Sequence, residues 1–210
     1  MPPSRQPSTI LFDLGGVLID WDPRHLYRKL FPGDPDGMER FLAEICTPEW
    51  NHALDAGGDW DGAVADLVAR FPAQRALIEA FRDRWPETLG GPISGTVTLL
   101  RALLDQGRPV YALTNWAAPT FALARTLPPY AFLGWFKGIV VSGEERIAKP
   151  DPRIWQIVLD RFGLSAPDVL FIDDSPRNVA AAAQLGFAAT QFTSPEALRK
   201  DLLAHGLLAG

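Results

Sequence analysis

A set of short, almost unbroken apolar runs, each ending in polar or acidic residues, constrains this chain more than any other feature. TILFD (9–13), RPVYALTN (108–115), KGIVVSG (137–143) and PDVLFIDD (167–174) are of this kind, with a weaker run at GFAATQF (186–192). A strand with one wet face alternates apolar and polar residues, whereas a continuous short run fits a parallel strand covered on both faces. Helical patterns separate the later runs, at 95–106, 117–126, 152–162 and 176–185, the first stopped by Gly107. Strand and helix alternating from residue 95 onward predict an α/β fold, a doubly wound parallel sheet with right-handed crossovers. Ligands of such sheets bind beyond the carboxyl ends of the strands. Asp13, Thr114, Asn115, Ser142, Asp173 and Asp174 end the runs and are therefore expected along one edge.

Residues 17–93 break the alternation. They carry helical patterns at about 24–31, 37–46, 60–70 and 73–85, separated by FPGDPDG, DAGGDW and RFPA, and no strand is expected among them. The predicted organisation is a core of 1–16 and 94–210 with a small helical cap, 17–93, inserted after the first strand. An insertion leaving directly after Asp13 sits over the strand ends, where a cap covers a site.

Composition narrows the partners. With 210 residues the chain is large enough for such a core and insertion. A net charge of −5 with scattered basic residues lacks the basic stripe that nucleic acid requires. The lone cysteine, Cys46, excludes an internal disulfide and a cysteine metal cluster and suits a reducing cytoplasm. The N-terminal stretch MPPSRQPST is polar, and the first apolar run ends at Asp13, too soon for a signal-peptide core or a membrane span. The expectation is a cytoplasmic protein, monomer or homodimer, that binds a small molecule and neither nucleic acid nor membrane.

A carboxylate at the end of a buried strand, followed by a glycine turn, can be a nucleophile, a metal ligand or a helix cap. Asp173 and Asp174, facing Asp13, repel it unless a cation lies between them, and hard oxygen ligands of this kind suit Mg²⁺. Lys149, just before a helix that starts at Pro150–Pro152, is placed to hold a carboxylate and a phosphoryl oxygen together. Thr114 and Asn115 offer a hydroxyl, an amide and backbone N–H groups to orient such an oxygen. Taken singly, each of these residues has an ordinary structural use; their convergence on one edge carries the argument.

FDLGG (12–16), LTN (113–115), AKP (148–150) and FIDDSPRN (171–178) occur in chain order at the ends of successive strands. Together they resemble the haloacid dehalogenase (HAD) superfamily of hydrolases, over nearly the whole chain, and closest to its FDLGNV/FDLGGV phosphatases, which include glucose-1-phosphate phosphatases. The resemblance implies a Rossmann-like core and a Mg²⁺-dependent phosphatase acting on a small phosphorylated metabolite, most plausibly a sugar phosphate. By the same resemblance Asp13 attacks phosphorus to form an aspartyl phosphate, and Thr114 and Lys149 hold the transferring group. Asp174 binds Mg²⁺ with Asp13 and the carbonyl of Gly15, Asp173 is a further ligand or neighbour of one, and Asn178 hydrogen-bonds in the surrounding shell.

Most phosphatases of that superfamily carry a second Asp two residues beyond the nucleophile, to protonate the leaving oxygen and later activate water. This chain has Gly15 there. Losing a general acid and base typically costs about 10² to 10⁴ in rate. Three explanations stand open: a leaving group that needs little protonation; another acid, such as Asp20, Asp22 or His25; or a module that binds phosphate ligands without turnover. A 2-haloacid dehalogenase is the alternative among enzymes, and the Asp173–Asp174 pair argues against it. Specificity is expected from the cap, where Trp50, Asn51 and His52 could stack on and hydrogen-bond a sugar, with Trp21 and Trp116 flanking the nucleophile and phosphate loops.

Overall fold

The structure, a computed structural model, describes residues 6–209. The chain begins β1 (Thr9–Phe12), β2 (Ile19–Trp21), α1 (Arg24–Leu30), α2 (Pro35–Glu44), α3 (Pro48–Asp55), α4 (Trp60–Arg70), α5 (Arg75–Asp83) and β3 (Leu89–Pro92). It continues α6 (Ser94–Asp105), β4 (Val110–Thr114), α7 (Ala118–Ala124), β5 (Ile139–Val141), α8 (Ser142–Glu145), α9 (Pro152–Phe162), β6 (Val169–Asp173), α10 (Pro176–Gln184), β7 (Ala188–Gln191) and α11 (Pro195–Ala204).

Five strands form one parallel sheet in the order β5-β4-β1-β6-β7, so the strand that precedes Asp13 lies at its centre. The side-chain period of two divides each strand between two cores. Ile10, Phe12, Val110, Ala112, Leu170 and Ile172 face α6, α11 and the cap. Leu11, Leu113, Val140, Val169 and Phe171 face α9 and α10, where Ile154, Trp155 and Val158 meet them. Both faces being covered is the reason these strands read as continuous apolar runs.

Sequence patterns locate all five core strands and the helices α6, α7, α9 and α10 between them to within about two residues of their observed ends, but not the one-turn α8. The expectation of no strand in 17–93 is corrected: β2 and β3 pair antiparallel, with a register shift between Asp20 and Trp21, and carry the chain out to the cap and back. IDW is three residues long and LGGP contains two glycines and a proline, so neither has an intrinsic strand signal. Gly90 lies beside the Asp20 and His25 side chains of the facing segment, where a Cβ would lie 2.2 Å from Asp20 Oδ2 unless that side chain turned away. Helix α3 is also absent from the sequence reading, although Thr47 caps it by accepting a hydrogen bond from Trp50 N at 3.2 Å and Pro48 opens it.

The inserted helices carry an aromatic cluster that is continuous with the apolar core on this face of the sheet. Tyr27 stacks among Phe31, Phe41 and Phe81, and Trp50 meets Phe81 edge-on at 5.2 Å. No helix among the described residues is long and apolar enough to cross a membrane.

Candidate active site

The polar ends of β1, β4 and β6 meet on one edge of the sheet. Asp13 extends the ladder of β1 by one residue, its N–H donating to Ile172 O at 2.8 Å, and its Oδ1 accepts from Leu14 N at 2.7 Å. The Lys149 ammonium is fully buried, 2.9 Å from Asp13 Oδ2 and 2.6 Å from Asp173 Oδ2, and it donates to Leu113 O at 3.1 Å. Burial alone would push this lysine down, but the two carboxylates together hold it above its ordinary value, so it stays charged. Burial, reinforced by Asp173 and Asp174, pushes Asp13 up against the opposing pull of Lys149. Asp174 is raised for the same reasons, burial first and then Asp173.

Carboxylate oxygens of Asp13, Asp173 and Asp174 lie within 4.8 Å of one another. An all-oxygen set in which burial, and then the neighbouring carboxylates, push Asp13 and Asp174 up fits a hard divalent cation, which would relieve the repulsion. The three acids are not equivalent. Asp173 is fully buried and already accepts from Lys149, from Ser175 N at 2.8 Å and from Asn178 Nδ2 at 3.1 Å. Asp174 is exposed to the cavity, and the turn beside it brings Gly16 so close that a Cβ there would sit 2.3 Å from Asp174 Oδ2. Gly16 also has φ of +70°, which only glycine adopts without strain.

A cavity of about 320 Å³ opens above this edge. Asp13, Gly15, Gly16, Asn115 and Asp174 line it from the strand ends, with Trp21, Trp85 and Trp116, and with Asn51 and Asp55 of α3 from the cap. Thr114 Oγ1 is buried at the end of β4 and has no hydrogen-bond partner among the described residues, leaving a donor free there. The Asn115 side chain bolts two loops together, donating to Lys149 O at 3.0 Å and accepting from Lys149 N at 2.8 Å. Trp116 N donates to Ser142 Oγ at 2.9 Å, and that hydroxyl donates in turn to the carbonyl of Asp55.

Asp13, Gly15, Thr114, Asn115, Trp21, Trp116, Lys149, Asp173, Asp174 and Asn178 are thus brought to one place. Two sequence-predicted contacts are not. Trp50 turns into the cap core against Phe81, because the apolar face of α3 must be buried there. His52, one position from Asn51 on the helix, lines a separate cleft with Arg146, Arg153 and Arg177. Asp20 pairs with His25 at 3.0 Å, on the opposite side of β2 from Trp21, and Asp22 accepts from Arg24 N at 2.8 Å; none of these three lines the cavity. Asp55 and Trp85 are the lining residues that sequence reasoning missed. Recognising α3 from Thr47–Pro48 would have placed Asp55 one turn after Asn51; Trp85 carries no local signal.

The fold and this edge define a capped, parallel-sheet α/β protein with a carboxylate, a lysine and an acidic pair at the strand ends. The sequence profile of haloacid dehalogenase-like hydrolases matches residues 7–186, and the chain belongs to that family. It is 30% identical over 198 residues to the sesquiterpene phosphatase astK of Aspergillus oryzae, covering 91% of this chain and 93% of that one. A phosphoglycolate phosphatase of Pectobacterium atrosepticum is 31% identical over 191 residues, 84% of this chain and 76% of the relative. Among solved structures, the HAD family enzyme bt-2542 of Bacteroides thetaiotaomicron, in complex with magnesium and inorganic phosphate, superposes with a TM-score of 0.64 at 22% identity, covering 90% of this chain and 95% of that one. At that identity the likeness speaks for the fold.

Proposed function

We propose that this protein is a Mg²⁺-dependent phosphomonoesterase that works through an aspartyl phosphate on Asp13. The observation that carries the reading is the buried Lys149 ammonium, seated between Asp173 and the Asp13 that lines a capped cavity. Asp13 Oδ attacks phosphorus, the bond to the leaving oxygen breaks with its electron pair, and water then attacks phosphorus to release phosphate and restore the carboxylate. Lys149 holds the nucleophile and offers positive charge to the transferring group, while the free Thr114 hydroxyl donates to a phosphoryl oxygen. Asp173, whose oxygens are occupied by Lys149, Ser175 N and Asn178, orients the lysine. Asp13, Asp174 and the Gly15 carbonyl would hold Mg²⁺. When bound, the ion supplies charge neutralisation that lets an anionic phosphate approach an anionic carboxylate.

The substrate reading is a compact phosphorylated metabolite, with a sugar phosphate favoured. The three lining tryptophans, with Asn51 and Asp55, combine stacking surfaces with hydrogen-bonding groups, as a pyranose ring requires, and the FDLGG motif supports the same class. One relative, the sesquiterpene phosphatase, favours a second reading in which the tryptophans receive an apolar isoprenoid monophosphate. Dehalogenation is disfavoured by the acidic pair, since attack on carbon needs no divalent cation.

Phosphate release by the purified protein tests the reading, with sugar phosphates, a prenyl monophosphate and 4-nitrophenyl phosphate, each with Mg²⁺ and with EDTA. Metal-dependent turnover that Asp13→Asn abolishes is expected. Absence of turnover from every ester, or turnover that survives Asp13→Asn, overturns it. The ranking of sugar against prenyl phosphate decides between the two substrate classes.

A further inference from the structure

The phosphatase reading leaves one chemical requirement unfilled: a proton for the leaving oxygen. Gly15 stands where an acid would be, and a Cβ built there meets nothing within 4 Å, so the space is open and unused. The same cavity carries another acid. Asp55 ends α3, half-buried, and lines the cavity together with Asp13 and Gly15.

Its carboxyl is held by two donors. Ala117 N, two residues past Asn115 in the phosphate loop, donates to Oδ1 at 3.0 Å, and Asn51 Nδ2 donates to Oδ2 at 2.9 Å. A protonated carboxyl oxygen keeps acceptor capacity, so Oδ2 can accept from Asn51 while its own O–H is free for the cavity. The backbone carbonyl of Asp55 accepts from Ser142 Oγ, which fixes the end of the helix against the core.

We propose that Asp55 is the proton donor and acceptor of the reaction, supplied from the cap in place of the residue that Gly15 lacks. In the first half-reaction the P–O bond breaks, its electron pair stays on the leaving oxygen, and that oxygen takes the proton of Asp55 to depart as an alcohol. In the second, the Asp55 carboxylate takes a proton from water as the water oxygen bonds to phosphorus and the bond to Asp13 breaks. Asp55 ends protonated and Asp13 ionised, as both began.

The surroundings of Asp55 suit that role. Burial pushes its carboxyl up to about 7, against the lowering by Ala117 N–H and Asn51, which is near the value a general acid and base needs at neutral pH. Its place at the C-terminal end of α3 opposes negative charge in the same direction. Asp13 and Asp174 line the same cavity, Glu49 and His52 lie on its own helix, and Glu144, Glu145 and Arg146 lie on and after α8, which packs against α3. None of these is a hydrogen-bond partner of its carboxyl.

The test compares a simple alkyl phosphate, whose leaving oxygen needs a proton, with 4-nitrophenyl phosphate, whose leaving group does not, both with Mg²⁺. Asp55→Asn is expected to lose about 10² or more in kcat on the alkyl ester and less than about tenfold on the aryl ester. Adding Gly15→Asp to Asp55→Asn is expected to restore at least tenfold on the alkyl ester, because an acid returns to the same cavity from the strand end. In the unaltered enzyme, kcat for the alkyl ester alone should fall as pH rises through about 7. Equal losses on both esters, no rescue by Gly15→Asp, and a shared pH profile would overturn the proposal and leave Asp55 as a structural tie between cap and core. Aryl phosphate turnover in the unaltered protein keeps the phosphatase reading standing in that case, whereas its absence removes both.

Discussion

Replacing Lys149 by methionine tests the electrostatic core of the site. The side chain is wholly buried, and its ammonium is 2.6 Å from one buried carboxylate and 2.9 Å from another. Methionine has similar length and bulk, so packing against Phe171 is largely kept while two carboxylates and the Leu113 carbonyl lose their donor. Removing one member of a buried ion cluster costs about 3–5 kcal/mol, because the remaining charges are left without compensation. Urea unfolding of both proteins at pH 7, without metal, measures the difference. A loss of about 3–5 kcal/mol is expected, and one under about 1 kcal/mol would refute the buried ion cluster assigned to Asp13, Lys149 and Asp173.

Gly16→Ala drives a methyl group against Asp174 and forces alanine to φ near +70°; Mg²⁺ affinity, read by titration calorimetry, should fall about tenfold or more while the fold persists. Ser142→Ala orphans the Trp116 N–H and removes the donor to the Asp55 carbonyl, and should cost about 1–3 kcal/mol in chemical denaturation. Asp55 and Asp13 both have folded pKa values raised by burial, so without metal their contribution to stability should decline as pH rises from about 4. Thermal melts across pH 5 to 8 should show that decline, and Mg²⁺ should flatten it at the alkaline end by binding the ionised form of Asp13; a melt independent of pH and metal would contradict the assignment.

The core was legible because its physics is local. Ile10 to Phe12, Val110 to Thr114 and Val169 to Asp173 are buried on both faces, and that condition is written directly as apolar runs with polar ends. The acidic pair and Asn178 could be read from the same ends because they lie at or within a few residues of the end of β6, and Lys149 from the AKP just before α9. The cap was less legible. Strands β2 and β3 exist by pairing with each other across some 70 residues, and α3 is held by a cap at Thr47 inside a stretch rich in glycine and aspartate turns.

The amino-acid sequence by itself determined the parallel sheet, the edge on which chemistry occurs, and the family to which that pattern belongs, since strand burial and strand-end polarity are properties of short segments. Only the tertiary structure decided which side chains share the cavity. Helix α3 turns Asn51 and Asp55 inward and sends Trp50 to the cap core and His52 to another cleft, a difference of one residue in a helical period of 3.6. The role of Asp173, spent on Lys149 and Asn178, likewise depends on distances between segments 24 residues apart in the chain, which no local pattern records.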